Sequence, residues 1–81
     1  MVLKALLEMW RHRYLWTQPG WVLVGPFSND SELNAENFAI FNIDTASAYI
    51  VEDPITCTRI MKRMKEEGVE ILSAEELRGR V

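Results

Sequence analysis

Residues 38–72 read FAIFNIDTASAYIVEDPITCTRIMKRMKEEGVEIL, and this stretch decides the fold. Its first half predicts a β-hairpin. Phe38 to Asp44 and Ser47 to Glu52 are rich in aromatic and β-branched residues, with a turn at Asp44-Thr45-Ala46-Ser47 between them. Pairing Ile43 with Ala48 sets Phe41 opposite Ile50 and Asn42 opposite Tyr49. One face then carries Ala39, Phe41, Ile43, Ala48 and Ile50, and the other carries Phe38, Ile40, Tyr49 and Val51. Both faces are apolar. An antiparallel sheet with one wet face alternates apolar and polar residues, so this pattern predicts cover on both sides.

The second half is a helix with its own punctuation, expected over Pro54 to Glu67. Asp53 is an N-cap residue and Pro54 suits N1, where its missing N–H costs no hydrogen bond. Gly68 suits C′, with Val69 placed to touch Met64 in a Schellman end. Cys57, Ile60, Met61 and Met64 form an apolar stripe, and Arg59, Lys62, Arg63 and Glu66 form the opposite face. Val69 to Leu72 reads as a short strand. Ser73 and Glu76 make a capping box for a last short helix, stapled by Leu72 and Leu77 and expected to fray near Gly79.

Upstream, Leu3, Leu6, Leu7, Trp10 and Tyr14 recur at helical spacing and predict a helix over residues 2–14. Gln18-Pro19-Gly20 suits a type II turn, Trp21 to Val24 a strand, and Gly25-Pro26 its end. Ser28 to Asn37 is a polar loop in which only Leu33 and Ala35 have packing side chains; a helical turn is expected from Ser31. The fold class is therefore α+β, a single small domain over residues 1–81. The order is α-β-β-β-α-β-α, with a mainly antiparallel sheet and a helix packed on one face.

The bulk numbers exclude several classes. A chain of 81 residues with 48% hydrophobic and 26% charged residues is ordinary for a small globular domain. One cysteine rules out an intramolecular disulfide. Glu8 interrupts the N-terminal apolar run and Arg11-His12-Arg13 follow it, so no export signal is expected and the expected location is cytoplasmic. Lys and Arg are absent from Tyr14 through Thr58, where Asp30, Glu32, Glu36, Asp44, Glu52 and Asp53 sit.

Catalytic and metal motifs are weak. Cys57 lies on an apolar helix stripe, and His12 lies between two arginines; each is the only residue of its type. A thiol needs an adjacent base to act as a nucleophile. Asp30, Glu32, Asn34 and Glu36 follow the rhythm of an EF-hand loop, but Ala35 stands where glycine is needed and Phe41 where the bidentate Glu belongs. Glu52 and Asp53 are an acid pair, with Asp53 already assigned to the helix cap. No cofactor and no metal are expected.

Surface candidates remain. Trp16 and Trp21 flank the Pro19-Gly20 turn, and tryptophan is enriched where proteins bind. Ile55 lies off the apolar stripe, on the basic side of its helix. Arg59, Lys62, Arg63 and Lys65 are four cations in seven residues, able to contact phosphates. The leading expectation is a non-enzymatic protein-interaction module with an accessory, regulatory or inhibitory role that binds a protein partner or itself as a homodimer. The alternative is a nucleic-acid-binding domain using the basic helix face, and the third reading is a small enzyme. No membrane partner is expected.

Overall fold

The computed structural model describes residues 18–80. The helix expected over 2–14, together with Trp10, His12 and Trp16, lies outside them. The described residues form β1 (Trp21–Val24), β2 (Ala39–Asn42), β3 (Ser47–Tyr49), α1 (Pro54–Glu66), β4 (Ile71–Leu72) and α2 (Ala74–Arg80). The order β-β-β-α-β-α follows the sequence reading, and the class is α+β.

The four strands make one sheet in the order β3-β2-β1-β4. β1 pairs antiparallel with β2, with Trp21 opposite Asn42 and Val24 opposite Ala39. β2 pairs antiparallel with β3. β4 joins the other side of β1 in parallel, Leu23 beside Ile71 and Val24 beside Leu72. Leu23 N–H donates to Glu70 O and Gly25 N–H to Leu72 O, each at 2.9 Å. The sheet is therefore mixed, where the sequence predicted it mainly antiparallel. The reason is connectivity. β3 and β4 run the same way at opposite edges, and a parallel return needs a crossover, which α1 supplies.

The crossover places α1 in the principal core. Cys57, Ile60, Met61 and Met64 cluster with Leu23, Phe38 and Ile40, and Trp21, Tyr49, Val51 and Val69 pack around them. Fully burying Ile60, Met61 and Met64 contributes roughly 1.5–3 kcal/mol each. The helix ends are as the sequence predicts. Asp53 accepts from Ile55 N–H and from the Thr56 hydroxyl, with Pro54 in the first turn. Gly68 has φ +89°, and Val69 N–H donates to Met64 O while Gly68 N–H donates to Lys65 O, both at 3.0 Å. That bond pair is a Schellman end. The helix proper stops at Glu66, with Glu67 as its C-cap.

On the other sheet face Val22, Val24 and Leu72 are buried, with Phe41, Ile43 and Leu77 half-buried against them. Alternation thus divides the strands as expected, Ile40 with Tyr49 on the α1 side and Phe41 with Ile43 on the other. Among the described residues cover is incomplete at the β3 edge, where Ala48 is exposed and Ile50 is 83% exposed. The capping box forms between Ser73 and Glu76, with bonds of 3.0 and 3.1 Å in the two directions. α2 runs through Gly79 to Arg80 instead of fraying, and Arg80 Nη2 meets Glu70 Oε2 at 2.6 Å.

Three local expectations are corrected. The hairpin register is two residues away from the expected one: Phe41 faces Ala48, not Ile50, and Asn42 faces Ser47. Asn42 Oδ1 accepts from Thr45 N–H at 3.1 Å, and Ile43 N–H goes to Gly20 O at 2.7 Å. Those bonds pull Ile43 out of the hairpin and into a four-residue loop, 43–46, with Ala46 at φ +53°. An even shift keeps every side chain on its face, so the two-faced pattern survives. The last strand is Ile71–Leu72 only: Val69 N–H is committed to the helix end through Met64 O, although Glu70 O already accepts from Leu23 N–H. The turn in the polar loop closes at Asn34–Asn37, not from Ser31, since Asn37 N–H and Phe38 N–H both donate to Asn34 O.

Candidate functional site

The exposed flank of α1 and the 34–36 turn enclose an open groove of about 390 Å³, lined by Asn34, Ala35, Glu36, Pro54, Ile55, Thr58, Arg59 and Lys62. The sequence makes each wall for a local reason. Residues 55, 59 and 62 are four and three apart, so they form one stripe along the helix. That stripe is turned away from the buried one: Ile55 is 65% exposed and Arg59 and Lys62 are exposed, while Ile60 and Met64 are fully buried.

The opposite wall is held by side chain to backbone bonds. Asn34 Oδ1 accepts from Glu36 N–H at 2.9 Å and from Asn37 N–H at 3.1 Å, the pattern of an Asx turn. Asp30 Oδ1 accepts from Glu32 N–H at 2.9 Å in the same way. Asn37 is buried, with its Nδ2 donating to Glu32 O and its Oδ1 accepting from the Ser28 hydroxyl. Phe27 N–H closes the base of the loop on Asn37 O at 2.8 Å. One bond ties the wall to the helix: Ala35 N–H donates to Thr58 Oγ1 at 3.0 Å. A ten-residue polar stretch is thereby anchored to the helix that carries the cations.

Electrostatically the basic face divides in two. Arg63 is engaged by Glu66 at 3.8 Å and Glu67 at 3.3 Å, one turn along the helix. Arg59 and Lys62 have no ion pair among the described residues. Glu36 adds one acidic side chain to the opposite wall. Asp53, at the head of the helix, holds its carboxyl below the ordinary value. The Thr56 hydroxyl is the largest cause, followed by Ile55 N–H, with the Arg59 charge contributing least. Asp53 is therefore committed to the cap.

The structure sorts the sequence candidates. Ile55, Arg59 and Lys62 come together at the groove. Arg63 and Lys65 do not line it, Arg63 being paired and Lys65 exposed in the last turn, where cations favour the helix dipole. Trp21 is a correction. Although it follows an exposed turn, it is half-buried and packs with the α1 core. Its ring meets Tyr49 edge-on, centroids 5.8 Å apart and planes at 87°. β1 begins at Trp21, and the alternation that buries Leu23 turns Trp21 to the same side. Its indole Nε1 is buried without a hydrogen-bond partner. Trp16 lies outside the described residues.

Cys57 sits in the core and burial pushes its thiol pKa up, which disfavours the thiolate. Glu52 is exposed. No three His, Cys, Asp or Glu side chains converge on a point among the described residues, and no helix there is long and apolar enough to cross a membrane.

Sequence reasoning missed Asn34, Ala35, Glu36, Pro54 and Thr58 as groove residues. The available signal was the Asn34-x-x-Asn37 spacing, which marks a side-chain-stabilised turn. Its docking on Thr58 spans 23 positions and has no local signature. No protein-family model, curated protein or solved structure matches this chain.

Proposed function

We propose that this protein is a small non-enzymatic interaction module, binding a protein partner and itself. The observation that carries the reading is Ile55. It stands 65% exposed on an otherwise amphipathic helix, beside two cations that form no ion pair among the described residues and facing an anchored wall. A singly exposed apolar side chain is ordinary on a protein surface; what supports the reading is that Ile55 lies in a groove in line with Arg59 and Lys62, an apolar anchor beside charges. Self-association belongs to the same reading. Among the described residues Ile50, with Ala48 beside it, leaves the β3 end of the sheet apolar and exposed, and of the two covers the sequence offers, residues 2–14 or another chain, self-association takes the second. The expected location of such a module is the cytoplasm.

Photo-crosslinking amino acids placed separately at Ile50 and Ile55, with exposed Glu75 as control, test both parts in the native cell. The expected result is a discrete crosslinked band from position 55 and a band of doubled mass from position 50. Purified protein at high micromolar concentration should show the dimer mass by light scattering, and Ile50→Glu should return it to monomer. Bands no stronger than those of the Glu75 control, with a monomer mass throughout, would overturn the reading.

The second reading is nucleic-acid binding through Arg59, Lys62, Arg63 and Lys65. Two exposed cations in line, Arg59 and Lys62, support it, with Glu36 in the same groove and Arg63 already paired to Glu66 and Glu67. It requires binding to duplex or single-stranded probes that weakens steeply with salt.

A further inference from the structure

We propose that the groove between the 34–36 turn and α1 receives a short acidic segment of another protein, anchored by one apolar side chain. The proposal rests on the interaction-module reading and names the partner chemistry of that site.

Four observations converge on it. The groove is graded along the helix: Pro54 and Ile55 stand at its N-terminal end, and Arg59 and Lys62 follow one and two turns later. An occupant complementary to that gradient has an apolar residue at one end and carboxylates at the other. Next, Arg59 and Lys62 are exposed and form no ion pair among the described residues, whereas Arg63 and Arg80 are each paired with glutamates. Of the exposed cations without an ion pair among the described residues, Arg59 and Lys62 line the groove, while Lys65 and Arg78 lie outside it. The volume, about 390 Å³, holds a few side chains, which suits a peptide segment more than a duplex or a broad protein face. Finally, the far wall is anchored by the Thr58–Ala35 bond and the Asn34 turn, so little order has to be gained on binding.

Ile55 decides between a peptide and a nucleic acid, since the acidic loop opposes both anions. A phosphate backbone tracking past Arg59 and Lys62 would also pass Glu36, and the Asp30 and Glu32 carboxylates belong to the same loop. Two cations against such a field give weak phosphate affinity, and Ile55 contributes nothing to it. A peptide gains from Ile55 and the cations together. Glu36 then serves as a filter, repelling an occupant whose acidic residues run the full length of the groove.

Fluorescence anisotropy with the full-length protein tests this. The probes are labelled short peptides with one leucine followed by glutamates, a matched series with glutamine, a matched series with lysine, and a single-stranded oligonucleotide. The glutamate series should bind, weaken as salt rises, and weaken severalfold in Arg59→Gln and in Lys62→Gln. Ile55→Ser should weaken it, and Glu36→Gln should tighten it. All four sites are exposed, so circular dichroism should show every variant folded. Equal binding by the glutamine or lysine series would overturn the acidic specificity. If that binding is still lost in Ile55→Ser, the module reading stands alone. Tighter, competing binding by the oligonucleotide would overturn the proposal in favour of phosphate recognition. No binding by any peptide, while position 55 still crosslinks a partner, would overturn the proposal and leave the module reading in place.

Discussion

Single residues carry the punctuation of this fold, and two glycines show how. Gly68 and Gly20 both have positive φ, +89° and +92°. A Cβ on Gly68 meets nothing within 4 Å, so Gly68→Ala isolates the backbone strain of the left-handed conformation. The expected cost is about 1 kcal/mol, with Gly68→Asn losing less. At Gly20 a Cβ would come within 2.7 Å of Asn42 Oδ1 and 2.8 Å of Asp44 Oδ2, adding crowding at the hairpin loop. Gly20→Ala should therefore destabilise more than Gly68→Ala, as measured by urea midpoints; the reverse order would show that the hairpin loop yields freely. Capping carboxylates give a second prediction. Asp53 is held below its ordinary pKa by the Thr56 hydroxyl and then Ile55 N–H, and Glu76 by the Ser73 backbone N–H and then its hydroxyl. The folded state binds protons at these groups less readily than the unfolded state. Their stabilisation is complete above the unfolded values of 3.8 and 4.5 and is lost as pH falls through the lower folded values. Urea midpoints should fall on acidification through that window. Asp53→Asn with Glu76→Gln keeps neutral caps and should flatten the fall; an unchanged slope would place the acid sensitivity elsewhere.

Among the elements, α1 was the most legible. Its cap, first-turn proline, apolar stripe and Schellman glycine are local signals that agree with one another, and all four hold in the structure. Trp21–Val24 was equally clear. The hairpin was half legible: its faces came from alternation, while its register depended on the Asn42 side chain and on Gly20 O, a partner 23 positions from Ile43. The polar loop was the least legible, because its order comes from side chain to backbone bonds with no periodicity to read. Its tether yields a third prediction. Thr58→Val keeps the β-branched shape and removes the acceptor for Ala35 N–H. The bond is part-buried, so its loss should cost the loop about 1 kcal/mol and speed amide exchange at Ala35 roughly fivefold, with little change at Ile60. Unchanged exchange at Ala35 would mean that the loop is held without this bond, and that the groove wall is anchored by the Asn34 turn alone.

At the scale of the whole molecule, the division follows the range of the forces involved. The sequence by itself determined the α+β class, the strands and helices among residues 18–80 to within a few positions, both helix caps and the stripe that faces the core. These follow from interactions within about four residues, or from alternation, and each is written where it acts. The tertiary structure alone decided that the sheet is mixed, with β4 beside β1, and that Trp21 turns inward with Leu23. It also decided that a polar loop folds back to make a wall opposite Ile55. The candidate site was thus half written in the helix, as Ile55, Arg59 and Lys62. Its other half required the chain to close over a long separation, where the outcome depends on what the intervening core leaves room for.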